Sequence, residues 1–399
     1  MGEVAAEAQS GDVTIVEGAS FCVSDRAGDI AANRAQGVFF LDTRIVSVWR
    51  LTLDGAPLDP LAVVPQDPFS VTFLGRSAAR PGRHDSPLLV SRQRLVAAGL
   101  REDLTVHNHG PEPVGCQLTL HVDADFADLF DVKEARPAPR YEVRRHSGGD
   151  EVWLSVDVDG RRRGVRVRAH DAEPAPTGLS LSVVVPAQGS WSTTIEVLPS
   201  VDGHEVDTPF PVDRPVTDAR PVVRMANWRA SAPQLTTPSP ELRGVLRRSV
   251  LDLGALRIPD PDRPGAEVVA AGAPWFMALF GRDALLTSWM ALAFDPGLAA
   301  GTLQSLAAHQ GRRNDPMSEE EPGRILHEVR LGVDPTRALG ASSIYYGSVD
   351  ATPLFVVLLD EAVRWGLDPE VARGLLPAAD AALGWVRGHG DLDGDGFVE

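Results

Sequence analysis

The sequence predicts two domains of opposite character, a β-sandwich or barrel followed by an all-α half, and two changes of pattern carry that reading. From about Val13 to Leu198 apolar residues alternate at period two between Gly, Pro, Asn and Asp, and beyond a linker the apolar period becomes 3.6. Length agrees, since 399 residues at about 150 per domain leave room for two or three sizeable cores.

The strands come first. Val152, Leu154, Val156 and Val158 share one face, with Trp153, Ser155 and Asp157 on the other. Similar strands read at Leu118/Leu120/Val122, Val165/Val167, Leu179/Leu181/Val183 and Ile195/Val197. Many short strands between turn residues predict a sandwich or barrel. One helical intrusion is predicted, Ala124 to Val132, where Phe126, Leu129 and Phe130 recur at helical spacing. Val201 to Arg220 is rich in Pro and Asp with little periodicity and reads as linker. The domains are therefore set at 13–203 and 239–399, with 204–238 between them.

In the second half, Glu241 to Leu256 carries a stripe of Leu242, Val245, Leu246, Leu253 and Leu256, preceded by Ser239-Pro240 as N-cap and first helical residue. Further helices are predicted at Asp283 to Phe294, Pro296 to His309, Thr352 to Trp365 and Asp368 to Arg387. Apolar residues cover much of their circumference, as in helices buried on more than one side. Five helices make a partial layer rather than a closed bundle or ring, and the chain ends just after an outer helix, so a truncated polypeptide is expected.

Composition excludes several functions. The formal net charge is −17 with no compensating Lys/Arg cluster, which argues against nucleic acid, because phosphate contact needs a basic surface. Arg161-Arg162-Arg163 lies within Asp157 to Arg168, which alternates like a hairpin, and reads as a solvated turn. Cys22 and Cys116 form no disulfide framework and no CxxC, which fits a reducing cytoplasm. The acidic start Met1-Gly2-Glu3-Val4 lacks a secretory pattern, and no apolar run approaches a membrane span, so a cytoplasmic chain is expected.

Motif screening is mostly negative. There is no GxSxG elbow, no Walker loop and no GxGxxG. His327-Glu328 lacks the second histidine of a HExxH zinc site. Asp391, Asp393 and Asp395 with Gly396 mimic the start of an EF-hand loop, but its twelfth position falls beyond the chain, and an acidic helix-connecting loop is the reading adopted.

Three segments interrupt the helical pattern with aromatic and charged residues. The first runs from Trp275 to Gly281-Arg282-Asp283 and enters a helix, where the dipole favours a carboxylate and an arginine fork can face a ligand. Its structural alternative is that Asp283 caps the helix and Trp275 fills core. The second is Gly323 to Arg330, "GRILHEVR", and the third runs from Ser342 to Asp350 and holds Tyr345 and Tyr346, two of the three tyrosines. For Asp350 the structural alternative is an N-cap before Pro353. All three set aromatic or apolar residues beside a carboxylate or Arg near a helix start. Aromatic faces stack on sugar C–H groups, and Asp, Glu and Arg bond vicinal hydroxyls.

These residues resemble a known family. "GVFFLDTRIVSVWRLTLDG" (Gly37 to Gly55) and "REDLTVHNHG" (Arg101 to Gly110) are similar to the N-terminal domain of bacterial glycogen-debranching-type proteins. "PWFMALFGRDALLTSW", "GRILHEVR", "YYGSVDATPLF" and "DLDGDGFVE" are similar to the opening part of an amylo-α-1,6-glucosidase domain. The resemblance implies an N-terminal β-sandwich followed by an incomplete (α/α)6 toroid, six-hairpin glycosidase-like. It implies that Arg282 and Asp283 grip sugar hydroxyls and that Trp275, Glu328, Arg330, Tyr345, Tyr346 and Asp350 line the same pocket. It also implies inverting hydrolysis of α-1,6-glucosidic bonds in an α-glucan or smaller α-glucoside, by an acid and a base roughly 6.5–9.5 Å apart. In related toroids that pair lies later, so acid and base are expected beyond Glu399, and a chain complete as written is expected to be inactive. No metal or cofactor is required. The alternatives are another clan hydrolase, trehalase-like or oligosaccharide-glucosidase-like, and a non-catalytic carbohydrate-binding protein.

Overall fold

The computed structural model describes residues 11–78, 86–136, 141–158, 160–210, 214–233, 236–260, 263, 266–330 and 343–398. Met1 to Val4, Ser342 and Glu399 lie outside them. Two compact units divide the chain, one through Arg224 and one from Met225.

The first unit is built from antiparallel sheets. The largest orders Arg144–Gly148, Glu151–Val158, Arg161–Ala169, Ser190–Val201, Gly99–Asn108, Leu88–Ala97, Ser70–Arg76 and Asp59–Asp67, with His204–Glu205 paired to Ser190–Val201. A second orders Glu173–Ala175, Gly178–Val185, Val114–Asp123, Val48–Leu53 and Ala56–Pro57. Val152, Leu154 and Val156 are buried as the alternation predicts, and Leu118, Leu120 and Val122 likewise. Arg161 to Arg163 follow a hairpin tip closed by Gly160 N–H donating to Asp157 Oδ1 at 3.0 Å.

Between the strands sits a buried ion cluster. Arg94 stands directly across from Glu102 in the Leu88–Ala97/Gly99–Asn108 ladder, and Arg92, two residues away, points to the same face. Arg92 Nε donates to Glu102 Oε1 at 2.8 Å and Arg94 Nε to Glu102 Oε2 at 2.7 Å. Arg92 Nη1 donates to Asp29 Oδ1 at 2.6 Å, and Arg94 Nη2 to the Gly28 carbonyl at 2.6 Å. The Arg94 guanidinium also lies 5.2 Å from the Phe73 ring centroid. Gly28, at φ +83°, lets the 25–29 turn approach, since a Cβ there would stand 2.8 Å from Phe73 Cδ2.

Two differences from expectation arise here. The helix predicted from Ala124 shrinks to α1 (Leu129–Lys133), because Phe126 adopts φ +50° and Asp128 caps the late start by accepting from Phe130 N–H. The stretch read as linker holds α2 (Arg220–Ser231), whose Met225 and Trp228 are buried at helical spacing.

The second unit carries α3 (Pro240–Leu256), α4 (Gly281–Met290), α5 (Pro296–Ala308), α6 (Ala351–Arg364) and α7 (Pro369–Gly388), each within a few residues of its predicted span. Ser239, Asp295 and Asp368 cap α3, α5 and α7, each followed by Pro. It is not purely helical, since Arg257–Pro259 pairs with Glu267–Val269 and Glu328–Val329 with Ile344–Tyr345. α5 is buried over most of its surface, whereas α7 buries one stripe, Leu375, Ala379, Ala382 and Trp385, and leaves Leu376 exposed. Burial on more than one side thus fails for α7, because no described element covers its other faces. Among the described residues no helix is long and apolar enough to cross a membrane.

Replacing Glu102 by Gln leaves the buried Arg94 guanidinium without its counter-charge and Arg92 with Asp29 alone, and breaking a buried pair costs about 3–5 kcal/mol. Burial pushes the Glu102 carboxyl up, but Arg92 and Arg94 outweigh it and hold the carboxyl below its usual range. Its contribution is therefore present above the unfolded value of about 4.3 and declines as pH falls below it. Urea unfolding at pH 7 should place E102Q well below wild type, with the gap narrowing under acid conditions.

Candidate functional site

Three chain segments converge at Gly281, the first residue of α4. A Cβ there would lie 2.1 Å from the Leu326 carbonyl oxygen and 3.0 Å from Ala351 Cβ, so only glycine lets the start of α4 press on both. The contact is backed by backbone hydrogen bonds. Gly281 N–H donates to the His327 carbonyl at 2.9 Å and Val329 N–H to the Leu279 carbonyl at 3.0 Å. His327 N–H in turn donates to the Tyr345 carbonyl at 2.7 Å. The buried Thr352 hydroxyl accepts from Ile325 N–H at 2.9 Å and so ties the start of α6 to the same segment. Segment 325–330 thereby lies between the starts of α4 and α6.

Arg282, the next residue of α4, reaches across to α6. Its Nη1 donates to Asp350 Oδ2 at 3.0 Å, and its Nε lies 4.0 Å from Asp283 Oδ2. The pair is open to solvent, with 48% of the Arg282 side chain and 35% of the Asp350 side chain exposed. The other Asp350 oxygen accepts from the Ser348 hydroxyl. Asp350 occupies the N-cap position of α6 but makes no side-chain cap bond. Phe280 is the N-cap of α4, so Asp283 does not cap and lies in the first turn, where the dipole favours its charge. The capping alternative is thus set aside for Asp283, whereas Asp350 does stand at the N-cap position while its carboxylate pairs with Arg282 instead of capping.

Partial burial pushes the Asp350 carboxyl up, but the bonds from Ser348 and Arg282 prevail and hold it below the usual carboxylate range. The same bond and charge push Arg282 up. An ionised, half-open Arg–Asp pair can exchange its mutual bond for hydroxyls of a ligand.

Aromatic rings run beside the pair. Phe276 meets Phe280 edge-on at 5.7 Å, Phe280 meets His327 at 5.7 Å, and His327 meets Tyr345 at 5.9 Å between centroids. Tyr345 is partly exposed and its hydroxyl donates to Glu319 Oε1 at 2.7 Å. Glu328 lies opposite Tyr345 in the short ladder and also bridges Phe280. Trp275 lies partly exposed in a tight turn closed by Phe276 N–H donating to the Gly272 carbonyl at 2.8 Å.

The structure thus brings Arg282, Asp283 and Asp350 into one ionic group, with Glu328 and Tyr345 on the adjoining ladder. Arg330 and Tyr346 sit deeper, both buried. The Tyr346 hydroxyl donates to the His309 carbonyl at the end of α5, and burial pushes its phenol up to about 12. Sequence reasoning missed three contributors, namely Gly281, Ser348 and His327. For the histidine, its place beside Glu328 in "GRILHEVR" is the signal that the sequence offers. Elsewhere, Asp391, Asp393 and Asp395 bring carboxylate oxygens within 4.8 Å of one another in an exposed loop. Those carboxylates accept from Gly396, Asp395 and Phe397 N–H groups, as turn chemistry requires.

Comparison with known proteins places the first unit. Residues 15–196 match the family described as the N-terminal domain of (some) glycogen debranching enzymes. The resemblance drawn from Gly37 to Gly55 and Arg101 to Gly110 is thereby borne out for the stretch that contains both. Among solved structures, a protein assigned as a kojibiose phosphorylase from the human microbiome superposes with TM-score 0.58 at 9% identity, over 93% of this chain and 56% of that one. The sandwich followed by a helical domain of the (α/α)6 toroid class is a shared fold, and the chain spans about half the length of that structure. A family 92 glycosyl hydrolase gives TM-score 0.33 at 12% identity, over 95% of this chain and 61% of that one. No curated protein matches the sequence.

Gly281→Ala should destabilise the second unit by at least about 1–3 kcal/mol, the usual cost of an overpacked methyl, because the facing carbonyl belongs to backbone. Thermal unfolding of the variant against wild type checks this, and an unchanged midpoint would contradict the close approach.

Proposed function

We propose that this chain belongs to a glycogen-debranching-type glycoside hydrolase that cleaves α-1,6-glucosidic bonds in α-glucans or related α-glucosides with inversion. The observation that carries the reading is the solvent-open Arg282–Asp350 pair at two converging helix starts, flanked by an aromatic face. That composition suits a sugar, whose vicinal hydroxyls take charged partners and whose apolar face takes a ring. The debranching assignment draws its support from the family match of residues 15–196. The substrate is a neutral glucan, in keeping with a net charge of −17 and no basic cluster.

In this reading Arg282, Asp283 and Asp350 bind hydroxyls, and Trp275, Glu328, Arg330, Tyr345 and Tyr346 shape or brace the pocket. Inverting hydrolysis needs one carboxylic acid to protonate the leaving oxygen and a carboxylate to activate water. A general acid must hold its proton at the working pH. Asp350, ion-paired and held ionised, is suited to binding and unsuited to that role. Asp350 is therefore not assigned as the acid, and Asp283 and Asp350 are both assigned to binding in this reading.

The test is glucose release from branched limit dextrin, isomaltose-type and maltose-type substrates, by the 399-residue chain and by the whole reading frame containing it. Preference for the α-1,6 bond with a β-configured initial product supports the reading. Release that requires inorganic phosphate and yields a sugar phosphate would transfer it to phosphorolysis, the activity for which the structurally similar protein is named. Arg282→Ala should weaken isomaltose binding by about tenfold to a hundredfold, since hydrogen bonds to charged groups are worth ~1.5–3 kcal/mol. Titration calorimetry reads that change directly.

A further inference from the structure

We propose that His327 binds the sugar directly, its Nε2–H donating to a hydroxyl held between the Arg282–Asp350 pair and the Tyr345 ring. The inference rests on the sugar-binding reading of this site and deepens it by naming a donor that neither motif nor comparison assigns.

The backbone of His327 is clamped on both sides, its N–H donating to the Tyr345 carbonyl at 2.7 Å and its carbonyl accepting from Gly281 at 2.9 Å. The ring is clamped as well, edge-on between Phe280 and Tyr345 at interplanar angles of 82° and 86°. Among the described residues no hydrogen bond uses the ring's polarity. Nδ1 is buried with no hydrogen-bond partner, a costly state that a purely structural histidine avoids and that a phenylalanine in the same slot would not incur. The ring therefore meets its surroundings through Nε2, which is not among the buried unpartnered atoms.

Which nitrogen carries the proton follows from the same geometry. Burial, and then the charge of Arg282, hold the imidazole below its usual value, with Asp283 and Asp350 opposing more weakly. The charged and titratable groups around it are Arg282 and Asp283 from α4, Asp350 from the start of α6, Glu328 on its own strand, and Tyr345 with Glu319 beyond it. A neutral imidazole has one N–H and one lone pair. With the proton on Nε2, no N–H donor of the ring is buried without an acceptor, so Nδ1 carries the lone pair and Nε2 the proton. The site thus offers a neutral donor beside a cationic one, a set suited to an uncharged hydroxylated ligand.

The experiment uses the 399-residue chain with isomaltose, glucose and maltose as probes. Long-range imidazole 1H–15N spectra of wild type should show the Nε2–H tautomer for His327, and its Nε2 resonance should shift on adding sugar. In titration calorimetry, His327→Phe, which refills the slot between Phe280 and Tyr345, should weaken binding by about tenfold or more, as loss of a buried hydrogen bond to a ligand predicts. His327→Gln, which restores an N–H donor, should recover part of that loss. Wild-type affinity in His327→Phe, or an Nε2 resonance that sugar does not move while the sugar binds, overturns the inference and leaves the reading of the site intact. Absence of binding by wild type overturns both. Should His327→Phe fail to fold, the wild-type spectra alone decide.

Discussion

The approach of the Gly281 backbone to the Leu326 carbonyl is the constraint on which the candidate site depends. Arg282 and Asp350 lie 68 residues apart in sequence, and they meet because the starts of α4 and α6 are both pinned to segment 325–330. A larger residue at position 281 would push α4 away from that segment, and the reach of one guanidinium could not compensate. The same bonds that satisfy the helix start also leave its charged residues free of capping duty. Structure and chemistry are divided between backbone and side chains at this point. His327 shows the division most clearly, with its amide and carbonyl committed to the fold and its ring Nδ1 left over.

The first unit is organised around a different device, charges buried in its own sheet. Arg92, Arg94 and Glu102 are flanked on their strands by the apolar inward residues Val90, Val96, Leu100 and Leu104, so their desolvation must be offset by near-complete hydrogen bonding. The 25–29 turn supplies it through Asp29 and the carbonyls of Ala27 and Gly28. A loop that looks incidental in sequence therefore completes the core. Cys22 is enclosed in the same place, 3.7 Å from Arg94, and burial pushes its thiol up, so it serves as packing and not as a reactive group.

Legibility differed by the range of the interactions involved. The five long helices of the second unit were readable to within a few residues because Ser239, Asp295 and Asp368 with their following prolines mark starts, and apolar spacing marks faces. α2 was not, since Pro and Asp around it read as linker and only the burial of Met225 and Trp228 reveals a helical stripe. α1 was overread because the spacing of Phe126, Leu129 and Phe130 is helical while the backbone at Phe126 is left-handed. Charged residues beside aromatics at helix starts were visible as candidates, but sequence could not distinguish a capping aspartate from one that pairs with an arginine 68 residues away.

What the sequence by itself determined is therefore local: the period-two half, the period-3.6 half, the helix starts, and the Arg, Asp and aromatic residues able to hold a sugar. Periodicity and capping act within a few residues and are written into neighbouring positions. The tertiary structure alone decided which of these residues meet, that Tyr346 braces α5 from inside, and that His327 lies edge-on between Phe280 and Tyr345 with its Nδ1 unpartnered. Contact across long sequence separation depends on how closely backbones approach, and at Gly281 that distance is set by the absence of a side chain.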